Sequence, residues 1–205
     1  MSRYQMTLPL IDAGETPSDR VNALFTAGRK VGKGFLPNMY RAMAHSPALL
    51  ATYLDGYAAF RAESVLTPVE QEVVFLVISE ENGCDYCVAA HSVVADTSSG
   101  VPRAITDAIR ARADIPDARL SALARMTRAV LLSRGRPDDA EVRAFLDAGF
   151  SEVVLLDIVL AIAIKTLSNY TNHLFAVPLD RIFHVREHAA YKLGQRLVEA
   201  FRSER

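Results

Sequence analysis

What this chain lacks narrows its class. Among its 205 residues, 23 Lys and Arg face 24 Asp and Glu, a formal net charge of −1. Such a balance provides no electrostatic footprint for nucleic acid or an anionic membrane surface, so neither is expected as a partner. No segment alternates apolar and polar residues with period two, which argues against strands. The amino-terminal MSRYQMTLPLIDAGE has no continuous apolar run of the signal-peptide kind, so the cytoplasm is the expected location. The most apolar stretch, Val153 to Ile164, is interrupted by Asp157 and closed by Lys165. That is too short to cross a bilayer and reads as a buried helix. Low-complexity segments and strict repeats are absent. Cysteine is scarce too, with two in the chain.

What remains is helix-forming. Half the residues are apolar, enough for one globular domain over residues 1–205. Prolines and glycines fall between segments of helical periodicity, so the expected class is all-α, a helical bundle. An extended N-terminal arm of about twenty residues, wrapping the body or a neighbouring subunit, precedes helices up to residue 66. A helical pair spans 67–97, and further helices fill 101–205. HSPALLATYLDGYAAFRAES has Ser46 as a cap and Pro47 in the first turn. LTPVEQEVVFLVISEENG has the strongest signals: Thr67 and Glu70 form a capping box, Pro68 follows the cap, and Asn82-Gly83 stop the helix. A new helix is expected from about Cys84 to about Asp96. SGVPRAITDAIRARAD, PDARLSALARMTRAVLLSRG and PDDAEVRAFLDAG give three amphipathic helices, and PLDRIFHVREHAAYKLGQRLVEAFR a last one. Residues 151–167 are apolar nearly all round, so that helix must be buried centrally or against another subunit. A faint echo of YCVAAH in YTNHLF hints at two related helical halves.

Both cysteines lie in NGCDYCVAAHS. On a helix Cys84, Cys87 and His91 share one stripe. Cysteines three apart have Cα atoms roughly 5 Å apart, inside the window for a disulfide. Such a bond closes a tiny loop, constrains the unfolded chain little and reduces easily, which suits redox cycling. The positive end of the helix dipole favours Cys84 as thiolate, whereas His91, one turn below, favours Cys87. The dipole is worth less than about one pKa unit and a positioned base about 10²–10⁴ in rate, so Cys87 is the expected nucleophile. Glu72 stands among Val69, Val73, Val74 and Phe75. Partial burial there would raise its proton affinity and make it a candidate proton acceptor.

Glu72, eleven residues, Cys84-Asp85-Tyr86-Cys87, three residues and His91 resemble the E-x(11)-C-x-x-C-x(3)-H signature of the alkylhydroperoxidase D family. That family lies in the carboxymuconolactone decarboxylase superfamily. NGCDYCVAAHS, FLPNMYRAMAHSPALL and NYTNHLFAVPLD resemble its peroxidase-related branch. The resemblance implies an all-helical fold assembled as a homo-oligomer, trimer or hexamer, that reduces peroxides for antioxidant defence. It implies that Cys87 attacks the peroxide and becomes a sulfenic acid, and that Cys84 resolves it to a disulfide. An external dithiol (dihydrolipoamide-like) or a protein electron donor then restores the pair, while His91 and Glu72 relay the proton. No bound cofactor or metal is implied. Where that family has a relay histidine this chain has Tyr86, a poor base at neutral pH, so the relay shortens to His91 and Glu72.

Other readings stand beside this one. The cysteines can be inert packing residues, or Cys84, Cys87, His91 and Glu72 can supply four zinc ligands. The chemistry can be general dithiol–disulfide exchange, lactone decarboxylation of the carboxymuconolactone type, or oxidation sensing without turnover. His45, His173, His184 and His188 read as surface or core-edge residues. Arg110, Arg112, Arg125 and Arg128 read as solvated helix faces. Tyr53, Tyr57 and Phe60 read as packing rather than a ligand box. Asn169, Tyr170, Asn172 and His173 read chiefly as the polar end of an apolar helix, with pocket lining as the alternative.

Overall fold

The computed structural model describes residues 4–12, 14 and 18–187. Among them nine α-helices and no strand occur: α1 (Asp19–Val31), α2 (Asn38–Met43), α3 (Pro47–Glu63), α4 (Pro68–Glu81), α5 (Asp85–Val94), α6 (Arg103–Arg110), α7 (Ala118–Leu132), α8 (Asp139–Asp147) and α9 (Val153–Phe175). A π-helical turn, Ala95–Ser99, continues α5, and a 3-10 helix covers Arg181–Glu187.

The helix at the centre is α4. Thr67 caps it through the expected capping box with Glu70, Pro68 enters its first turn, and Asn82 closes it. All seven residues from Val73 to Ser79 are fully buried. Packing on α5, α6, α7 and α9 encloses the helix on all sides. Each large apolar side chain buried in this way contributes about 1.5–3 kcal/mol, so α4 anchors the fold. The sequence had pointed to 151–167 as a helix buried centrally or against another subunit. Central burial does not hold: α9 runs on to Phe175 and buries one face against α3 and α4, leaving Val153, Leu156, Val159, Tyr170 and Leu174 exposed on the single chain.

The junction between α4 and α5 positions both cysteines. Gly83 adopts φ +65°, the left-handed conformation that glycine accepts most readily. Cys84 then serves as the N-cap of α5, and its backbone N–H donates to the Ser79 carbonyl at 2.9 Å. The helix expected over residues 84–96 is therefore α5 with its π extension.

The described part of the N-terminal arm lies on its own chain. Met6 N–H donates to the Leu174 carbonyl at 2.7 Å, and Arg41 Nε donates to the Ile11 carbonyl at 3.2 Å. At the other end, Arg181–Glu187 forms a 3-10 helix where a regular helix was expected, and the remainder of that segment, with His188, lies outside the described residues. Arg186 ties this turn down, bonding both Asp96 oxygens at 2.6 Å and Asp107 at 2.8 Å.

Candidate active site

Elements α3, α4, α5 and α9 bring the sequence-predicted residues together. Cys84 and Cys87 are both free thiols and both buried, 1% and 2% exposed. Cys87 lines a cavity of about 580 Å³, together with Tyr53, Tyr57, His91 and Lys165, whereas Cys84 lies behind it. Asn172 Nδ2 donates to the Cys87 sulfur at 3.2 Å and sits 3.7 Å from the Cys84 sulfur. The hydrogen bond to Cys87, reinforced by burial, pushes the Cys84 thiol up. Burial pushes Cys87 up as well, but the bond from Cys84, the charge on Lys165, His91 and the Asn169 amide outweigh it and hold Cys87 well below the ordinary thiol range. The pair thus favours the proton on Cys84 and the thiolate on Cys87. Proximity to the helix start, which favoured Cys84, loses to these side-chain interactions.

His91 Nδ1 lies 2.9 Å from Glu72 Oε2. The Arg61 guanidinium bonds Glu72 Oε1, and also donates to Gln71 Oε1 at 3.1 Å and the Tyr57 hydroxyl at 2.9 Å. Here the expected rise in the proton affinity of Glu72 is overturned. Burial raises its proton affinity, but His91 and Arg61 together lower it below the usual glutamate range. Glu72 is therefore an anion, placed to orient His91. Burial, then the nearby Lys165 charge, lowers His91 despite the pull of Glu72, so the imidazole is neutral at pH 7. An anionic Glu72 fixes the proton on Nδ1 and leaves Nε2 as the basic nitrogen. Both Glu72 oxygens are engaged, and among the described residues no three of His, Cys, Asp and Glu converge as metal ligands.

Tyr86 lines the same cavity, but its hydroxyl bonds Asp180 and accepts from the Met39 backbone N–H at 3.4 Å. Burial, then the Asp180 bond, raises its pKa, so it is no base at neutral pH. Asp180 in turn accepts from the Asn38 backbone N–H at 3.1 Å, which locks the tyrosine in place.

Several functional residues escaped the sequence reading. Arg61 sat in an ordinary helix end, and Lys165 looked like the charged stop of an apolar run. Asn169 and Asn172 were weighed mainly as a polar helix end; both are buried, and they face the cysteines. Tyr170 and His173, grouped with them, are exposed. The spacing of Lys165, Asn169 and Asn172 places them on one helix face, the signal that could have separated them from their neighbours. Tyr53 and Tyr57 pack against each other as expected, rings 5.9 Å apart, yet they also line the cavity.

The sequence profile of the carboxymuconolactone decarboxylase family matches residues 47–129, the segment from α3 into α7. No curated protein matches the chain. Among solved structures, an uncharacterized peroxidase-related protein from Ralstonia eutropha JMP134, described as an alkylhydroperoxidase AhpD core, is 24% identical. It superposes with a TM-score of 0.73, covering 87% of this chain and 94% of its own. A second uncharacterized peroxidase-related protein, from Silicibacter sp. TM1040, is 21% identical with a TM-score of 0.72 over 88% and 94% of the two chains. A variant of the debrominase Bmp8, in complex with 2,3,4-tribromopyrrole, is 19% identical with a TM-score of 0.69 over 88% and 95%. Residues 47–129, which build most of the site, match the carboxymuconolactone decarboxylase family, and the chain as a whole has the helical fold of these alkylhydroperoxidase D-like structures.

Proposed function

We propose that the protein is a thiol-dependent reductase of organic hydroperoxides. The observation that carries the reading is the asymmetry of the pair: Cys87 opens on the cavity as a favoured thiolate, while Cys84 sits behind it with the proton. Cys87 attacks the distal peroxide oxygen and becomes a sulfenic acid. Cys84, in hydrogen-bonding contact, displaces water to form the disulfide, and an external dithiol reduces it. His91, held by Glu72, relays the Cys84 proton to the departing water. The cavity volume suits a substrate of several carbons better than hydrogen peroxide.

The test is steady-state turnover of cumene hydroperoxide with dihydrolipoamide, alongside sulfenic-acid trapping. Cys84→Ser is expected to accumulate a sulfenate on Cys87, and Cys87→Ser to lose turnover. A sulfenate on Cys84 in the Cys87→Ser protein, with none on Cys87 in the Cys84→Ser protein, sinks the assignment. Full activity of the double serine variant points instead to lactone decarboxylation, and preference for disulfide substrates to dithiol–disulfide exchange.

A second reading is favoured by the aromatic and apolar lining, which includes Phe35, Tyr53 and Phe183. Thiol-driven dehalogenation of a small halogenated aromatic fits that lining, in line with the ligand of the debrominase Bmp8. Bromide release from a brominated pyrrole under dithiol separates it from peroxide reduction.

We further propose a cytoplasmic homo-oligomer, trimer or hexamer, in which a second copy covers the exposed stripe of α9.

A further inference from the structure

Lys165 is 1% exposed, and its ammonium nitrogen has no hydrogen-bond partner among the described residues. The nearest aromatic face, Phe75, lies 5.6 Å from it. Among the described residues no carboxylate pairs with it; Glu72, the buried acid of the site, is taken by Arg61 and His91. An unpaired buried charge is among the costliest features a fold can hold. Yet Lys165 lines the same cavity as Cys87, on the α9 face that also carries Asn172, whose amide reaches the Cys87 sulfur at 3.2 Å. The anion able to compensate Lys165 is therefore the Cys87 thiolate, and that anion disappears whenever Cys87 is oxidised.

We propose, building on the hydroperoxide reading, that Lys165 is the proton donor of the peroxide step and that its charge follows the redox state of Cys87. In the reduced protein Lys165 is an ammonium paired with the thiolate. When the Cys87 sulfur attacks the distal oxygen, the S–O bond forms, the O–O bond breaks, and the leaving alkoxide takes its proton from Lys165. The products are the sulfenic acid, the alcohol and a neutral amine. Cys84 attacks the sulfenic sulfur, its thiol proton leaves with the hydroxyl as water, and the disulfide forms. The external dithiol then supplies two electrons and two protons. One proton stays on Cys84, the other recharges Lys165, and Cys87 is again a thiolate. At no stage does a buried cation stand without its anion. Among the tyrosines that line the cavity, Tyr86 is held by Asp180, and the Tyr57 hydroxyl accepts from Arg61.

The experiment follows alkylation of the reduced protein by iodoacetamide against pH, and single turnovers with two peroxides by stopped flow. Cumene hydroperoxide expels a basic alkoxide that needs a proton; peracetic acid expels a carboxylate that does not. Lys165→Met is expected to shift the alkylation profile to higher pH and to slow cumene hydroperoxide by about 100-fold or more. Peracetic acid is expected to lose about 10-fold less than that. Lys165→Arg retains the charge but is a very weak acid, so it should restore the alkylation profile and the peracetic acid rate without restoring cumene hydroperoxide. Equal losses with both peroxides, or an unchanged alkylation profile in the Met variant, overturn the proposal while the wild type still reduces peroxide. A wild-type protein inert to both peroxides overturns it together with the hydroperoxide reading.

Discussion

At the scale of single residues, the site rests on a charge arrangement that inverts the simplest reading of Glu72. A carboxylate buried among valines and phenylalanine reads as a group with raised proton affinity, but Arg61 and His91 reach it and hold it ionised. Removing one member of a buried pair leaves the other uncompensated, so Glu72→Gln is expected to destabilise the protein by about 3–5 kcal/mol, measured by urea unfolding at pH 7. Acidity has a defined sign. Glu72 titrates lower in the folded state than in the unfolded chain, so its contribution is fully present above the ordinary glutamate range and is lost as pH falls through its folded value. His91 is buried neutral and titrates below its unfolded value, so its cost also begins as pH drops below about 6.5. Unfolding free energy should therefore decline steadily from about pH 6.5 downward. In Glu72→Gln the carboxylate part of the limb is lost and the His91 part extends to lower pH, because Glu72 no longer raises His91; an acid limb identical to wild type would contradict the assignment.

At the scale of elements, the turn from α4 to α5 decides where the two sulfurs sit. Gly83 takes φ +65°, and a Cβ placed there would meet nothing within 4 Å. A substitution at Gly83 is thus a test of backbone strain without a clash. Gly83→Ala is expected to cost about 1–2 kcal/mol and to lower the melting midpoint by about 2–8 °C, seen by calorimetry. A stability equal to wild type would show that the turn tolerates a side chain and that the cysteines are positioned by packing alone. The π-helical turn at Ala95–Ser99 makes a second local adjustment: it continues α5, and Thr97, Ser98 and Ser99 line the cavity. Such turns recur near functional sites because the extra residue redirects side chains.

At the scale of the whole molecule, α9 is the element with two partners to satisfy. Its inner face carries Lys165, Asn169 and Asn172 to the cysteines, and its outer face leaves Leu156 70% and Tyr170 56% exposed. Leu156, Val159, Ala163, Tyr170 and Leu174 recur at helical spacing along that outer face, as a helix–helix contact requires. Leu156→Lys is expected to shift the protein to a smaller species in light scattering after size exclusion, with the alkylation profile of Cys87 unchanged. A wild-type protein that is monomeric at micromolar concentration would remove the oligomer from the proposal.

The local signals of this chain were legible in the sequence because they are short-range. The capping box at Thr67 and Glu70, the stop at Asn82-Gly83 and the spacing from Glu72 through the cysteines to His91 all act within a few turns of helix. Together with the missing period-two alternation, they determined an all-helical chain with a thiol pair beside a histidine. Tertiary structure decided the rest. Which helix is central depends on what surrounds it, and α4 took the place that hydropathy assigned to residues 151–167. The protonation of Glu72 was decided by Arg61 from α3, and the identity of the thiolate by Lys165 and Asn172 from α9. Cys87 and Asn172 are 85 residues apart in sequence and 3.2 Å apart in space. Propensity and periodicity act along the chain, whereas electrostatics and hydrogen bonding act through space. The sequence named the reactive groups, and their charges were set only when distant helices closed around them.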